Sequence, residues 1–570
     1  TVLTSFTMWA ANCQCDMKIQ LVNLLKQKST GLRSNISDLP QSDAKHAQVP
    51  SGATPASVSA APLVANGLLP SPQDIALHGR IHKNVPSYSQ KLFIKVCREV
   101  LLRYAHASSM GDKDAMLFYL VSLLQIPARA LTIRSRALDR KLPGRKRKPS
   151  LNDRLRHLFQ VLRNDPAPVN APLTGDHLEE PNHDPLLSKI NHCLQLKQHG
   201  YSSRARQALE SSGLADLSDP AVREQSRLLF PARGEGPLPA LPSSAPRCAF
   251  EEADFCRAVS HCDNGSAAGA SGWTSAHLRV LLKDTDCKIG LLAFCTDLCN
   301  GYLDRRAKPY LLASRYVAPL KDSGGIRPVC IGEPLYKVCA TLLNTLHKPS
   351  IAETLSPVNF GCGIKSGNDF AATSITSLLT DPVRQLCGMK EDVQNAFNSI
   401  ERGYLLDRLY EVKALSNLWR LANWSYSEAS PVFVQDRDGT LLEVIQCSQG
   451  VKQGCPLALT LFCVGFTPII REAVKDHPTV IPIAVADDVT FSAPPDQVLE
   501  VSSAFNRLLS TAGLVSRPDK KVFVSLHPGV ITEDVAKQLE DQKVAVETDG
   551  FVFAGIPIAV SVTETSKLLT

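Results

Sequence analysis

No run of 18 apolar residues occurs in this 570-residue sequence, and no secretory leader opens it. The first absence leaves no segment that reads as a membrane-spanning helix, so no membrane partner is expected; the second removes the usual entry to the secretory route. Zinc-finger pairing is missing too. Among 17 cysteines, Cys13-x-Cys15, Cys256-x5-Cys262 and Cys295-x3-Cys299 lack the second C-x2-C or histidine pair that finger spacing needs. Many others, such as Cys339, Cys455 and Cys463, sit inside apolar runs. Such usage fits reduced thiols in a cytosolic or nuclear setting. An initiator methionine is also lacking, and a chain beginning at Thr1 reads as a fragment or a processed piece.

What is present suffices for two or more packed domains: 44% of residues are hydrophobic and 21% charged. The net charge of +7 is uneven. Residues 1–250 hold 32 Lys+Arg against 19 Asp+Glu, and the remainder is slightly acidic. A basic front half suggests a polyanion partner. Residues 1–75 read as a short helix followed by a Ser/Ala/Pro-rich linker with too little apolar surface to order itself. Residues 76–230 form a mostly helical basic region. Its cations crowd between Arg134 and Arg156, with Arg145, Lys146, Arg147 and Lys148 in succession. That run suits nucleic-acid contact and nuclear import equally, and a solvated face is the plain alternative. A Pro-rich linker occupies 231–250. Beyond it short strands alternate with helices, as in an α/β or α+β domain.

The chemistry gathers in this rear half. Ile481–Ala493, IPIAVADDVTFSA, places Asp487 and Asp488 between two β-prone runs, at the tip of an expected hairpin. Adjacent carboxylates repel, so such a pair asks for a cation, and magnesium takes hard oxygen ligands of this kind. An ordinary Asp-rich turn is the plain alternative. Cys387–Ile400, CGMKEDVQNAFNSI, ends a short strand at Asp392 and supplies the third carboxylate that a two-metal site needs. A hairpin turning at Asp438-Gly439 then leads into SQGVKQGCPLAL, a Gly-flanked loop opening a long helix at Leu457–Lys475. Upstream, KDSGGIRPV sets Lys321 and Arg327 around a Gly-Gly turn, two cations for one triphosphate.

In this order the motifs resemble the reverse transcriptase domain of non-LTR retrotransposons, and the resemblance covers about Ala253–Ile558. AAGASGWTSAHL is similar to the entry segment of these domains and KDSGGIRPVCIGEPLYKV to their fingertip. NFGCGIKSGND is similar to the Gly-rich template segment, DVQNAFNSI and VADD to the two metal-binding motifs, and GVKQGCPLA to the substrate loop. PDKK resembles the following lysine motif and FAGIP the primer grip. HGYSSRARQALESSG is similar to a segment often found upstream. The flavour is that of site-specific trypanosomatid-type elements.

The resemblance implies an α+β, right-hand fingers–palm fold, an antiparallel palm sheet with helices, preceded by the helical region. Fingers would span 251–385 and palm 386–570. The implied function is an RNA-directed DNA polymerase that extends a DNA primer on an RNA template with dNTPs, using two Mg2+ ions, in the nucleus. Catalytic residues would be Asp392, Asp487, Asp488 and Lys520, the last as general acid for pyrophosphate. Asp392, Val393, Asp487 and Asp488 would hold the metals. Lys321, Arg327, Phe397, Gln453 and Gly454 would bind the nucleotide, with Phe397 beneath its sugar, and Phe553 and Gly555 would grip the primer. Three positions depart from the family's pattern: Val485 replaces an aromatic residue, Ala458-Leu459 a Ser-Pro, and Glu391 an apolar strand residue. An RNA-dependent RNA polymerase shares this palm, and a decayed relic that only binds nucleic acid shares its sequence. With the chain ending at Thr570, little or no thumb, RNase H or endonuclease domain is expected.

Overall fold

The computed structural model describes residues 69–559, except 77–80, 134–148, 165–184, 199–204, 207, 209–210, 235, 263–265, 322–323, 438 and 528. The expected N-terminal helix, the linker up to residue 68, the Arg145–Lys148 run, Asp438 and the last eleven residues therefore lie outside the described residues. The end of that linker is docked, with Ile75 buried in the core and Tyr310 donating to the Pro70 carbonyl.

Two apolar runs near the N-terminus form the antiparallel-packed helices Gln90–Met110 and Lys113–Ala130. Gly111 breaks them apart at φ +69, and the Asp112 side chain caps the second by accepting from the Ala115 amide. The first helix lies against Thr285–Cys299 at very close range. A Cβ on Gly290 would stand 2.6 Å from that of Leu101. Tyr104 and Ser108 both donate to Asp297 across this crossing, at 2.9 and 2.7 Å. Further along, the Trp273 indole donates to the Leu123 carbonyl at 3.0 Å. The main hydrophobic core runs from these helices to the helices behind the palm, and smaller separate clusters lie at the fingertip sheet and the last hairpin.

Strands β1 (Ser314–Val317) and β2 (Val329–Gly332) form the fingertip hairpin. β1 also pairs in parallel with β4 (Ser430–Gln435), whose partner is β5 (Leu441–Cys447), giving the order β2-β1-β4-β5. The upstream segment joins this layer: the Leu320 amide donates to the Gly213 carbonyl and the Ala215 amide to that of Ala318. The Pro-rich stretch is likewise docked, with Arg420 donating to the carbonyls of Ala245 and Pro246.

The palm sheet has the order β6-β7-β3-β8-β9. Its strands are β3 (Cys387–Glu391), β6 (Ile481–Val485), β7 (Asp488–Ala493), β8 (Val522–Val524) and β9 (Ala545–Glu547). β3 lies between β7 and β8, antiparallel to both; β8 and β9 run parallel. The long helix Pro456–Ala473 packs behind it, with Phe462, Phe466 and Ile470 fully buried. By length and composition alone this helix would span a membrane. Most of it is nevertheless buried inside the protein, as a core helix is. A last hairpin, β10 (Gly550–Phe553) with β11 (Ile556–Ala559), is tied to β3 through Lys390, which donates to the Val552 carbonyl. Helices around a mainly antiparallel sheet, whose edge strand β9 runs parallel to β8, with a separate fingertip sheet, make the α+β fingers–palm architecture.

Candidate active site

The aspartate pair occupies the turn of the β6–β7 hairpin, where Val485 pairs with Asp488. Ala486 takes φ +56 there, which a residue with a Cβ adopts only under constraint. The constraint is Asn359, fully buried, whose amide donates to the Ala486 carbonyl at 3.1 Å and whose oxygen accepts from the Ala486 amide at 3.2 Å. Its neighbour Gly361 lies so close that a Cβ would run into the Ala486 backbone. The Gly-rich segment thus clamps the turn.

Asp392 follows β3, beside β7, so the third carboxylate comes from the neighbouring strand. Burial, Asp488 and Asp392 together push the Asp487 carboxyl up to about 6. Asp488 is raised as well, by burial first, while Lys390 opposes the shift. Three hard-oxygen groups brought to one place suit a divalent cation. Their oxygens do not all lie within 4.8 Å of one another. Among the described residues the one trio of ligand atoms that close is Cys295, Cys299 and Cys339, buried in the fingers core with Cys339 bonded to a backbone carbonyl. Val393 is buried and bridges to Ser516 through the carbonyls of Asp392 and Val515, which leaves its own carbonyl out of that bridge.

Cations face the carboxylates. Lys520 Nζ is 3.8 Å from Asp392. Lys321 is lowered by burial, and then by Lys520, Arg327 and Arg517. Four positive groups gathered beside the carboxylates form an anion site. Arg517 was not anticipated from the sequence. Its amide donates to the Asp392 carbonyl at 2.9 Å and its side chain holds Asp519.

The substrate loop rests on the fingertip. Gly454 sits at φ +107 against the Cys330 carbonyl, and the Cys330 amide donates to the Gln453 carbonyl at 2.8 Å. Arg402, almost wholly buried, braces the loop from below by donating to the carbonyls of Gly450, Cys447 and Glu428. Phe397 is half-buried, stacked on Phe462 with ring centroids 4.4 Å apart. Phe553 is fully buried in a small core with Phe360, Val485 and Ile558. Its ring props the hairpin, leaving Gly555, at φ +78, as the exposed part of that turn. Asn359, Arg402 and Arg517 escaped the sequence reading; the sole trace was the clustering of Asn359 and Arg517 with motifs already marked.

Comparison with solved structures finds distant likenesses. Telomerase from Candida albicans, in complex with a fragment of telomeric RNA, is 11% identical, with a TM-score of 0.32 over 45% of this chain and 48% of that one. Apo telomerase from Candida tropicalis is 12% identical, with a TM-score of 0.33 over 44% of this chain and 47% of that one. The retrotransposable element SLACS 132 kDa protein of Trypanosoma brucei gambiense is 26% identical over 269 residues, 46% of this chain. The match spans 22% of that protein's length. Residues 319–558, which hold every site residue named above from Lys321 to Gly555, match the family described as reverse transcriptase (RNA-dependent DNA polymerase). Those residues are a reverse transcriptase domain of the kind carried by non-LTR retrotransposons.

Proposed function

We propose that this chain is an RNA-directed DNA polymerase of a non-LTR retroelement, adding dNTPs to a DNA primer on an RNA template. One observation carries the reading: Asp392, directly after β3, lies beside the Asp487–Asp488 turn, facing the cations Lys321, Arg327, Arg517 and Lys520. Reverse transcriptase domains work with divalent metal ions, and Mg2+ is the ion this oxygen set suits. Asp392, Asp487 and Asp488 would hold it, with the Val393 carbonyl available beside them. Bound there, such ions supply activation of the primer hydroxyl and neutralisation of the leaving phosphates.

The chain's own residues do the rest. Lys321 and Arg327 draw in the triphosphate, and Arg517 adds to their field. The loop at Gln453–Gly454 offers close-packed backbone to the base and sugar. Phe397 lies beneath the ribose and leaves no room for a 2′-hydroxyl. Lys520 delivers a proton to the departing pyrophosphate. The Arg145–Lys148 run is assigned to sequence-independent contact with nucleic acid and to nuclear import.

Primer extension on an RNA template, with dNTPs and NTPs compared, tests the reading. Mg2+-dependent dNTP incorporation supports it. NTP incorporation at an equal rate would make the chain an RNA-dependent RNA polymerase, and binding without extension would make it a relic.

A further inference from the structure

Glu391 and Asp392 are consecutive at the end of β3, and Lys520 and Lys521 are consecutive just ahead of β8. The antiparallel register pairs Gly388 with Val524, Met389 with Phe523 and Lys390 with Val522. Carried two steps further, it sets residue 391 opposite 521 and residue 392 opposite 520. Successive side chains of a strand point to opposite faces. Two acid–base pairs therefore stand back to back. On the open face Lys520 Nζ is 3.8 Å from Asp392; on the closed face Lys521 Nζ is 3.2 Å from Glu391.

The closed pair is deep in the protein, with Glu391 1% and Lys521 7% exposed. Ser502, in the middle of the helix Pro495–Leu509, completes it. Lys521 donates to the Ser502 hydroxyl at 2.8 Å, and that hydroxyl donates to Glu391 at 2.5 Å. The other Glu391 oxygen is buried without a hydrogen-bond partner. A buried ion pair is a poor source of stability, because desolvation offsets its attraction, and an apolar pair would pack as well. Its better-attested use is to fix register. Here the element in question is the loop 516–521. Its front end is held by the Arg517 amide on the Asp392 carbonyl and by the Val393–Ser516 bridge. At its far end the side-chain anchor is Lys521. Between them lies the single 3-10 turn Pro518–Lys520, which carries the reactive amine.

We propose that Glu391, Ser502 and Lys521 form a positioning triad that holds Lys520 against Asp392. The proposal rests on the polymerase reading for what Lys520 does, though not for where it is held. The acid at residue 391, which departs from the family's pattern, is then matched by the buried lysine at 521.

The test replaces the pair together, Glu391→Leu with Lys521→Met, because either change alone strands a buried charge. The double variant is expected to unfold cooperatively near the parent's temperature. Its kcat for primer extension falls about 10-fold or more, a part of the roughly 100- to 10,000-fold that a positioned acid contributes, while KM for dNTP stays within about 3-fold. Lys520→Ala, costly in the parent, then costs little further in the double variant. A parental kcat, or an equal loss from Lys520→Ala in both backgrounds, would overturn the proposal. A readout independent of turnover is the acylation rate of the Lys520 amine, followed by peptide mass spectrometry. It should rise several-fold in the double variant, and an unchanged rate overturns the positioning role. Should the double variant fail to fold, Ser502→Ala keeps both charges and is expected to move the acylation rate and kcat in the same directions, less far; no change in either overturns the proposal. If the parent extends no primer, the polymerase reading fails while the labelling still decides the positioning.

Discussion

Asp392 and Asp487 reach the site from different strands, and each is needed for a different reason from its neighbours in the chain. Asp487 is a carboxylate held beside two others, and burial makes its charge costly until a cation arrives. Asp392→Asn and Asp487→Asn are each expected to abolish Mg2+-dependent extension, a loss of several kcal/mol in transition-state stabilisation, while unfolding stays cooperative. Added Mg2+ should raise the parent's unfolding temperature, by about 2.7 kcal/mol of stability at 100-fold over Kd, and do so far less in either variant. Equal shifts in all three would place the cation elsewhere. Phe397 allows a second single-residue test. Its ring stacks on Phe462 yet is only half-buried, so Phe397→Val should cost about 1–2 kcal/mol of packing. As the floor of the sugar pocket, the smaller side chain should raise NTP use relative to dNTP while extension persists. Loss of both activities together, with stability, would make Phe397 a core residue only. The aspartates were legible because their chemistry is written locally, as two adjacent acids and a third after a strand. Asn359 was not, since its role depends on Ala486, 127 residues away.

At the scale of elements, strands and hairpins were legible wherever turn chemistry and alternation agreed, as at β4–β5 and β6–β7. How elements lock together was not. The substrate loop meets β2 at Gly454, where the backbone conformation and the Cys330 carbonyl both exclude a side chain. Gly454→Val should destabilise by about 1–3 kcal/mol, as strained backbone does, and raise KM for dNTP more than it lowers kcat. An unchanged KM would detach this loop from the nucleotide. The entry segment shows the same hidden dependence. Glu333 is wholly buried ahead of the helix Pro334–Leu346 and accepts from the Ser271 amide and hydroxyl at 2.6 and 2.9 Å. Burial, opposed by these bonds and by Arg315, raises its carboxyl from 4.5 to about 7. A raised carboxyl favours the folded state when protonated. Its contribution is therefore full below about pH 4.5 and is lost as pH rises through about 7, by about 3 kcal/mol at most. Glu333→Gln keeps an acceptor for the Ser271 amide without the charge. The variant should match the parent near pH 5, exceed it at pH 8, and flatten the fall in denaturation midpoint between them. Parallel pH profiles would mean Glu333 ionises freely in the fold.

For the whole molecule, the sequence suggested a polymerase core behind a basic helical region, with linkers marked by composition, but said nothing of how these parts pack together. Packing depends on pairs such as Leu101 with Gly290, far apart in the chain and each unremarkable alone. The helix Gln90–Met110 covers Thr285–Cys299 with Phe93, Val96, Leu101 and Tyr104, all essentially buried. Exposing several such side chains costs about 1.5–3 kcal/mol each, comparable in sum to the whole stability of a typical domain. Tyr104 and Ser108 would also leave Asp297 behind, a carboxylate that burial already raises and that would lose both its donors. Trp273, meanwhile, would lose the Leu123 carbonyl. A chain beginning at residue 251 is therefore expected to aggregate or to show no cooperative transition, although it retains the entire reverse transcriptase match. A chain beginning at residue 69 should unfold in one transition. Calorimetry of the two decides the matter: a soluble, cooperatively folded, extension-competent chain from residue 251 would make the front helices an independent module, joined to the polymerase only for what they bind.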